Sequence, residues 1–225
     1  MPDEYTEVNE TAAEATGAAA NNEGPSDDSK NLVRDIVEIA ESILINIFVI
    51  VMIFTYLLHP VDVEGPSMNN TLNNEDRLLM STVCLDYSYG DIVIINNDAA
   101  YLLDENNDVY KKDITGDRLE ECLVKRVIAK PGQTLEIDPA SHEVKVDGAV
   151  LNEPYIKDPV SDGGVFNYPI TIPEGYYFVM GDNRNNSADS RNGSIGLIKK
   201  DQIYGKVILR FSPIKEFKIL YKSVK

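Results

Sequence analysis

The sequence predicts a mainly β protein in which a single N-terminal transmembrane helix precedes a domain of mixed antiparallel β-sheets. A near-continuous apolar run at residues 43–58 indicates the helix. Beyond position 60, short apolar runs recur between Gly, Pro, Asn and Asp, which is typical of strands separated by turns. No run of 12 or more residues after position 60 has clean helical periodicity. The pattern therefore favours a β domain over a helical one.

Residues 1–35 are predicted to form a disordered acidic tail. The chain has a formal net charge of −16, and residues 1–30 hold eight acidic residues and one basic residue, Lys30. A segment rich in Ala, Asn, Thr and Gly buries too little apolar surface to offset the entropy lost on ordering. The acidic balance also argues against nucleic acid as a partner, because no basic stripe is present to replace its counterions.

Residues 36–59 are predicted to be a retained transmembrane helix, which makes the lipid bilayer a partner. Only Asn46 and Thr55 are conspicuously polar within residues 43–58, and residues 39–40 extend this run toward the roughly 20 residues that span a bilayer. A buried core helix would normally have a polar face. A cleaved signal peptide would normally begin with a short basic region and end in small residues. The segment has neither feature.

The orientation of the helix follows from the positions of Lys and Arg, not from net charge. Lys30 and Arg34 flank the N-terminal side of the helix, and the next basic residue beyond it is Arg77. Because positive residues concentrate on the cytoplasmic side, the tail is expected in the cytoplasm. Residues 60–225 are then expected to form a single extracytoplasmic domain attached to the cell membrane.

The strands of this domain are predicted from apolar runs bounded by turn residues. The predicted strands lie at residues 91–95, 122–128, 134–137, 144–146, 176–180 and 205–211. Residues 138–141 are expected to be a hairpin loop. The long polar stretch at residues 96–121 is expected to be a loop insertion.

The two cysteines, Cys84 and Cys122, lack the spacing of a metal site, and the two histidines, His59 and His142, are isolated. No metal and no other cofactor are therefore expected. Outside the cytosol the two cysteines are compatible with a disulfide, and two ordinary half-buried thiols are an equal alternative.

Residues 181–191 are dense in hydrogen-bonding groups and contain no large apolar residue. The run follows an apolar strand, so it is either a solvated surface loop or a rigid polar loop beside a reactive site.

Lys125 is the second unusual feature, because it lies within the apolar run 122–128. Burial disfavours the ammonium form of a lysine, and a neutral amine beside a serine can act as its base. The alternative is an edge lysine that reaches solvent.

Five segments resemble, in order and spacing, the conserved boxes of type I signal peptidases. They are residues 64–72, 90–94, 124–132, 151–155 and 181–191. The resemblance covers roughly residues 38–213 and includes the preceding membrane helix. One such box is a weak signal, whereas several in the right order are highly specific.

The resemblance implies a membrane-bound serine endopeptidase that cleaves signal peptides from exported preproteins after small residues, typically Ala at −1 and −3. Ser67 corresponds to the nucleophile of a Ser/Lys dyad and Lys125 to its general base. Ser187 corresponds to the serine that orients the lysine amine. The residues that correspond to supporting ion pairs and hydrogen bonds are Arg126, Asp182, Asp189 and Arg191.

Two positions depart from the family pattern. Gly65 stands where some relatives carry a serine that donates to the oxyanion, which leaves the backbone N–H of Ser67 as the implied donor. Asn70 stands where the family usually has proline, which would fix the backbone after the nucleophile. A dedicated peptidase for a narrow substrate set such as pilins, and a degenerate binding module without activity, therefore remain as alternatives.

Overall fold

The computed structural model describes residues 27–114 and 122–220, so most of the expected acidic tail lies outside the described residues. The chain divides into two units, Met1–Phe48 and Val49–Lys225. The described part of the first unit is helical. The second contains the last turns of that helix and all of the described strands.

The N-terminal helix α1 (Asp27–Tyr56) is 30 residues long, and its stretch Asn31–Tyr56 is long and apolar enough to cross a membrane. The helix begins earlier than expected, inside the segment assigned to the disordered tail. Arg34 donates to Glu38 one turn later at 2.9 Å, which supports helix at this end. The helix also ends before the expected position 59, because His59 already belongs to the first strand.

Fourteen strands follow in the described residues. They are β1 (Leu58–Asp62), β2 (Arg77–Ser81), β3 (Ile92–Asn96), β4 (Ala100–Leu103), β5 (Val109–Lys112), β6 (Cys122–Ala129), β7 (Thr134–Asp138), β8 (Glu143–Val146), β9 (Ala149–Val150), β10 (Ile170–Thr171), β11 (Tyr176–Met180), β12 (Ile198–Lys199), β13 (Ile203–Ser212) and β14 (Lys218–Ile219). Two 3₁₀ turns, η1 (Lys200–Gln202) and η2 (Ile214–Glu216), flank β13.

The main sheet has the strand order β1-β2-β13-β3-β6-β11-β12, with β14 paired to β13. A smaller sheet has the order β10-β7-β8-β9, and β4 pairs with β5 alone. Every strand pair is antiparallel. The prediction of a mainly β fold with antiparallel sheets and one apolar N-terminal helix is confirmed.

Most of the strands that the sequence did not indicate are short or lie at sheet edges, whereas β2 has five residues and lies between β1 and β13 inside the main sheet. β1 contains Pro60, which is tolerated on an edge strand because proline cannot donate to a ladder. β9, β10, β12 and β14 have two residues each, too few for an alternating pattern to be recognised.

The segment expected to be a loop insertion, residues 96–121, is described only up to residue 114, and that part contains the hairpin β4–β5. The Asp104 carboxylate closes its turn by accepting hydrogen bonds from the backbone N–H groups of Asn106 and Asp108, at 2.8 and 2.9 Å. The N–H of Leu197 donates to the carbonyl of Tyr101 at 2.7 Å. The hairpin is thus joined to the chain just after the polar run.

Strand β6 lies inside the main sheet, with apolar clusters on both of its faces. Val127 belongs to one cluster together with Val93 of β3, and Ile128 belongs to another together with Phe178 of β11. A strand covered on both faces leaves no solvent-facing row for charged residues. This placement explains why a lysine in β6 is buried.

Candidate active site

Ser67 lies in a tight turn between β1 and β2. Met68 and Leu72 are fully buried and anchor the turn in an apolar cluster. The N–H of Asn69 donates to Pro66 O at 3.1 Å, and the N–H of Leu72 donates to Met68 O at 2.9 Å. The Ser67 side chain is half-buried. Apolar anchors on its C-terminal side thus hold the serine at the edge of a cavity.

Lys125 reaches Ser67 from strand β6. Its Nζ donates to Ser67 Oγ at 3.0 Å and to the carbonyl of Val124 at 2.8 Å. Lys125 is only 2% exposed. The structure brings together the two residues that the sequence placed in a dyad, although 58 positions separate them. The amine is buried, which contradicts the alternative of a lysine that reaches solvent.

Arg126 is buried as well, so both basic residues of β6 are covered. Its Nε and Nη2 donate to the two oxygens of Asp182 at 2.8 and 2.5 Å, and its Nη1 donates to Gly90 O at 2.7 Å. The Thr71 hydroxyl donates to Asp182 at 2.5 Å. A bidentate pair of this kind holds geometry as well as charge. It joins β6, the serine turn and the polar run.

The chain keeps this network despite the asparagine that replaces the usual proline. Asn70 is exposed, whereas its neighbour Thr71 is bonded to both Asp182 and Arg126. The contact that fixes the turn to the site is therefore made by the residue after the substitution.

The polar run 181–191 is not a solvated surface loop. The N–H of Asn183 donates to Ser67 O at 3.0 Å, and its side-chain amide donates to Pro66 O at 3.1 Å. Gly181 permits this close approach, because a Cβ at that position would overlap Ser67 O and Ser187 Oγ. Sequence reasoning missed the role of Asn183, since nothing in the pattern indicates its contact with the serine turn.

Asp189 and Arg191 stabilise residues 181–191 through hydrogen bonds within that run. Arg191 donates to Asp189 through Nε and Nη2 at 2.8 and 2.7 Å, and to Arg184 O at 2.6 Å. Asp189 also accepts from the N–H of Gly181 at 3.0 Å. These contacts fix the backbone beside Ser67 and do not reach the dyad.

Ser187 lies close to Gly181, and its hydroxyl is buried. Among the described residues this hydroxyl has no hydrogen-bond partner. The expected hydrogen bond between Ser187 and the Lys125 amine is therefore not formed in this structure.

A buried ion pair that the sequence analysis did not single out supports the run from the other side. Arg184 donates to Glu153 at 2.7 and 2.5 Å, and the Tyr155 hydroxyl donates to the same carboxylate at 2.8 Å. The Tyr155 ring stacks on Arg126 with 3.9 Å between Cζ and the ring centroid. Burial raises the pKa of Tyr155 above its usual value, which keeps its proton on the hydroxyl.

A groove of about 460 Å³ opens onto Ser67 and Lys125. Residues 61–64 form one wall and residues 122–125 form the other, with Met68 and Ile94 also contributing. Strand β11 pairs with β6 only between Arg126 and Ala129. Residues 122–125 therefore pair with β3 alone among the described strands. Among the described strands none pairs with residues 122–125 on this side of β6, which faces the groove.

Both cysteines are described and both are free. Cys122 is exposed in the groove, whereas Cys84 is half-buried against an apolar cluster. Of the two alternatives, the structure therefore contains thiols and no disulfide.

The sequence is similar to those of known proteins. The family described as signal peptidase, peptidase S26, matches residues 36–212. The chain is 34% identical over 199 residues to signal peptidase I P of Bacillus subtilis subsp. natto, covering 84% of this chain and 95% of that protein. It is 33% identical over 198 residues to signal peptidase I S of Bacillus subtilis (strain 168), covering 82% and 94%.

A solved structure of a signal peptidase I from Enterococcus faecalis V583 is also similar. The identity is 23% and the TM-score is 0.38, with 55% of this chain and 98% of that chain covered. The family match extends over most of the chain, and the Bacillus relatives exceed 30% identity along nearly their whole length. This chain belongs to the signal peptidase family, peptidase S26.

Proposed function

We propose that this protein is a membrane-bound serine endopeptidase that cleaves N-terminal signal peptides from exported preproteins with a Ser67/Lys125 dyad. The observation that carries the proposal is the 3.0 Å contact between the buried Lys125 amine and Ser67 Oγ, at the base of an open groove. Nucleophile and base within hydrogen-bond reach are the defining geometry of this chemistry.

The reaction begins with Lys125 in its neutral form, which burial in β6 favours. As Ser67 Oγ attacks the scissile carbonyl, its proton passes to the Lys125 amine. The resulting ammonium then gives this proton to the leaving amine of the mature protein, and an acyl-enzyme remains. A water molecule, deprotonated by Lys125, hydrolyses the ester and restores both residues. The backbone N–H of Ser67 is assigned as a donor to the oxyanion.

The preprotein is proposed to bind as an added β-strand. Residues 122–125 present an open edge, and a peptide in extended form pairs with such an edge through its backbone. Small side chains at −1 and −3, which the family prefers, then fit the shallow wall formed with residues 61–64.

The remaining site residues are assigned positioning roles. Arg126 and Asp182 fix β6 against the serine turn, and Asp189 and Arg191 fix the run that contacts Ser67. The Ser187 hydroxyl, which has no partner among the described residues, is assigned to accept from the lysine ammonium as it forms.

Helix α1 is proposed to anchor the protein in the cell membrane as a single pass. Lys30 and Arg34 precede the apolar run at residues 43–58, which supports a cytoplasmic N-terminus. Residues 60–225 then form the catalytic domain on the extracytoplasmic face, where the cleavage sites of exported preproteins emerge.

The test uses the full-length protein purified in detergent and a preprotein with an Ala-x-Ala site. We expect the wild-type protein to cleave it, and Ser67→Ala and Lys125→Ala to lose cleavage by several orders of magnitude. Persistent cleavage by Lys125→Ala would refute the lysine as base. A wild-type rate no higher than that of Ser67→Ala would support the degenerate binding module instead. Cleavage confined to one precursor in a diverse panel would support the dedicated peptidase.

A further inference from the structure

The groove wall formed by residues 61–64 is paired with the rest of the sheet along only part of its length. Strand β1 pairs with β2 as far as Asp62. The pairing continues by one residue, because the N–H of Val63 donates to Asp76 O and Val63 O accepts from the N–H of Glu75, both at 2.9 Å. The last residue of the wall therefore lies beyond the end of the backbone pairing.

One side chain holds the backbone between this point and the nucleophile. The N–H of Gly65 donates to Asn74 Oδ1 at 2.9 Å. Among the described residues this is the only hydrogen bond made by the backbone of Glu64 or Gly65. Gly65 has φ +81°, and a Cβ at this position would meet nothing within 4 Å. Because packing leaves this residue unconstrained, its position depends on the bond to Asn74.

The turn that carries this asparagine, residues 73–76, is itself fixed. The buried Asp76 carboxylate accepts from the N–H of Asn73 at 2.8 Å and from the buried Arg210 guanidinium at 2.7 Å. Glu75 has φ +69°, a conformation that a residue other than glycine keeps only where the surrounding contacts fix it. The asparagine amide therefore reaches the groove wall from a well-held turn.

We propose that Asn74 is a positioning residue that fixes the groove wall beside Ser67 and thereby sets the preference for a small side chain at −1. The inference rests on the function proposed above. Ser67 attacks the carbonyl of the −1 residue, so the side chain of that residue is placed next to the wall at Glu64. A larger side chain is rejected only where the wall does not yield, because added methylenes are costly in a surface that cannot rearrange. Asn74 acts through Gly65 and takes no part in the bond-breaking step.

The test compares two asparagines that are adjacent in the chain. Asn74→Ala removes the acceptor of the Gly65 N–H, and Asn74→Asp retains an acceptor oxygen. Asn73→Ala is the matched control, because Asn73 is exposed and only its backbone bonds to Asp76. Each full-length protein, purified in detergent, is given two synthetic signal-peptide substrates that differ by one methylene at −1, Ala against 2-aminobutyrate. The kcat/KM is measured for both.

We expect Asn74→Ala to lower the ratio of kcat/KM for Ala over 2-aminobutyrate by about fivefold, because one neutral hydrogen bond contributes up to about tenfold to an equilibrium. Asn73→Ala and Asn74→Asp should keep the wild-type ratio. A loss in Asn74→Ala that is equal for both substrates would indicate a merely structural role. That result, or an unchanged ratio, would overturn the proposal.

Hydrogen–deuterium exchange of the full-length proteins tests the same contact without substrate. The segment that contains Gly65 should exchange at least about threefold faster in Asn74→Ala than in Asn73→Ala. Equal exchange would show that the bond does not hold the wall. Cleavage of neither peptide by the wild-type protein would refute the proposed function and the −1 preference with it, whereas faster exchange would still support Asn74 as the residue that fixes the wall.

Discussion

The buried pair between Arg184 and Glu153 gives the sharpest prediction of stability. The Arg184 side chain is fully buried and that of Glu153 is 7% exposed. Two hydrogen bonds of 2.7 and 2.5 Å join them. Desolvation opposes the charge of Arg184, but the bonds with Glu153 outweigh it and raise the pKa of the guanidinium. Because neither group reaches much water, removing one partner leaves the other buried without compensation.

We expect Glu153→Gln to lower the free energy of unfolding by about 3–5 kcal/mol, the usual cost of breaking a buried pair from one side. In a domain of this size each 1 kcal/mol shifts the melting temperature by about 2–4 °C, so the shift should be about 6–20 °C. Arg184→Met alone should lower the free energy of unfolding by a similar amount. The double variant Glu153→Leu/Arg184→Met should recover much of the loss, because it leaves no isolated charge.

The assay is thermal and denaturant unfolding of the full-length protein in detergent, followed by near-UV circular dichroism. Lys145→Gln is the matched control, since its contacts with Glu136 and Glu143 are partly exposed at 3.7 and 3.3 Å. Surface pairs of this kind contribute about 0–1 kcal/mol. A Glu153→Gln protein with the same melting temperature as the control, or a Glu153→Leu/Arg184→Met protein no more stable than Arg184→Met alone, would contradict the reasoning.

Three further outcomes are expected. Gly181→Ala should reduce kcat/KM by about 100-fold while the protein stays folded, because the added Cβ displaces the backbone beside Ser67; unchanged kinetics would show that the approach is not tight. Gly196→Ala should lower stability by about 1–3 kcal/mol in denaturant unfolding, since φ is +66° and the Cβ overlaps Tyr101 O. Burial raises the pKa of Tyr87 to about 12, whereas the pKa of an unfolded tyrosine is about 10. The free energy of unfolding should therefore fall as the pH rises from about 10 to about 12. Tyr87→Phe should make this fall less steep, and an equally steep fall in the variant would refute the burial of Tyr87 as its cause.

The dyad residues were identified from the sequence because each lies in a recognisable local segment. The pattern around Lys125 left burial and an edge lysine that reaches solvent as alternatives, and the family resemblance assigned this residue to the dyad. The structure places its buried amine beside Ser67. Arg126 is also buried, which the alternation of the strand did not indicate. Its burial depends on Asp182, a partner 56 positions away that strand periodicity does not specify.

The features that the sequence did not predict depend largely on contacts between residues far apart in the chain. The hairpin β4–β5 was assigned to a loop insertion because its polar turn residues dominate a stretch with few apolar ones. Glu153 and Arg184 both lie in segments that resemble the family, yet no spacing rule joins positions 31 residues apart. The open edge of β6 is equally non-local, since it exists only because β11 ends at Met180.

The groove-facing edge of β6 limits how many preprotein residues the proposed strand pairing contacts. Four residues, 122–125, lack a partner strand on the groove side among the described residues, and at about 3.3 Å per residue they span about 13 Å. An extended peptide pleats with a period of two, so its alternate side chains turn toward the same wall. In the proposed binding mode, a preference for small residues at −1 and −3 follows from this alternation. We expect that in this mode the peptide backbone supplies most of the affinity, and that only alternate side chains near the cleavage site contribute to specificity.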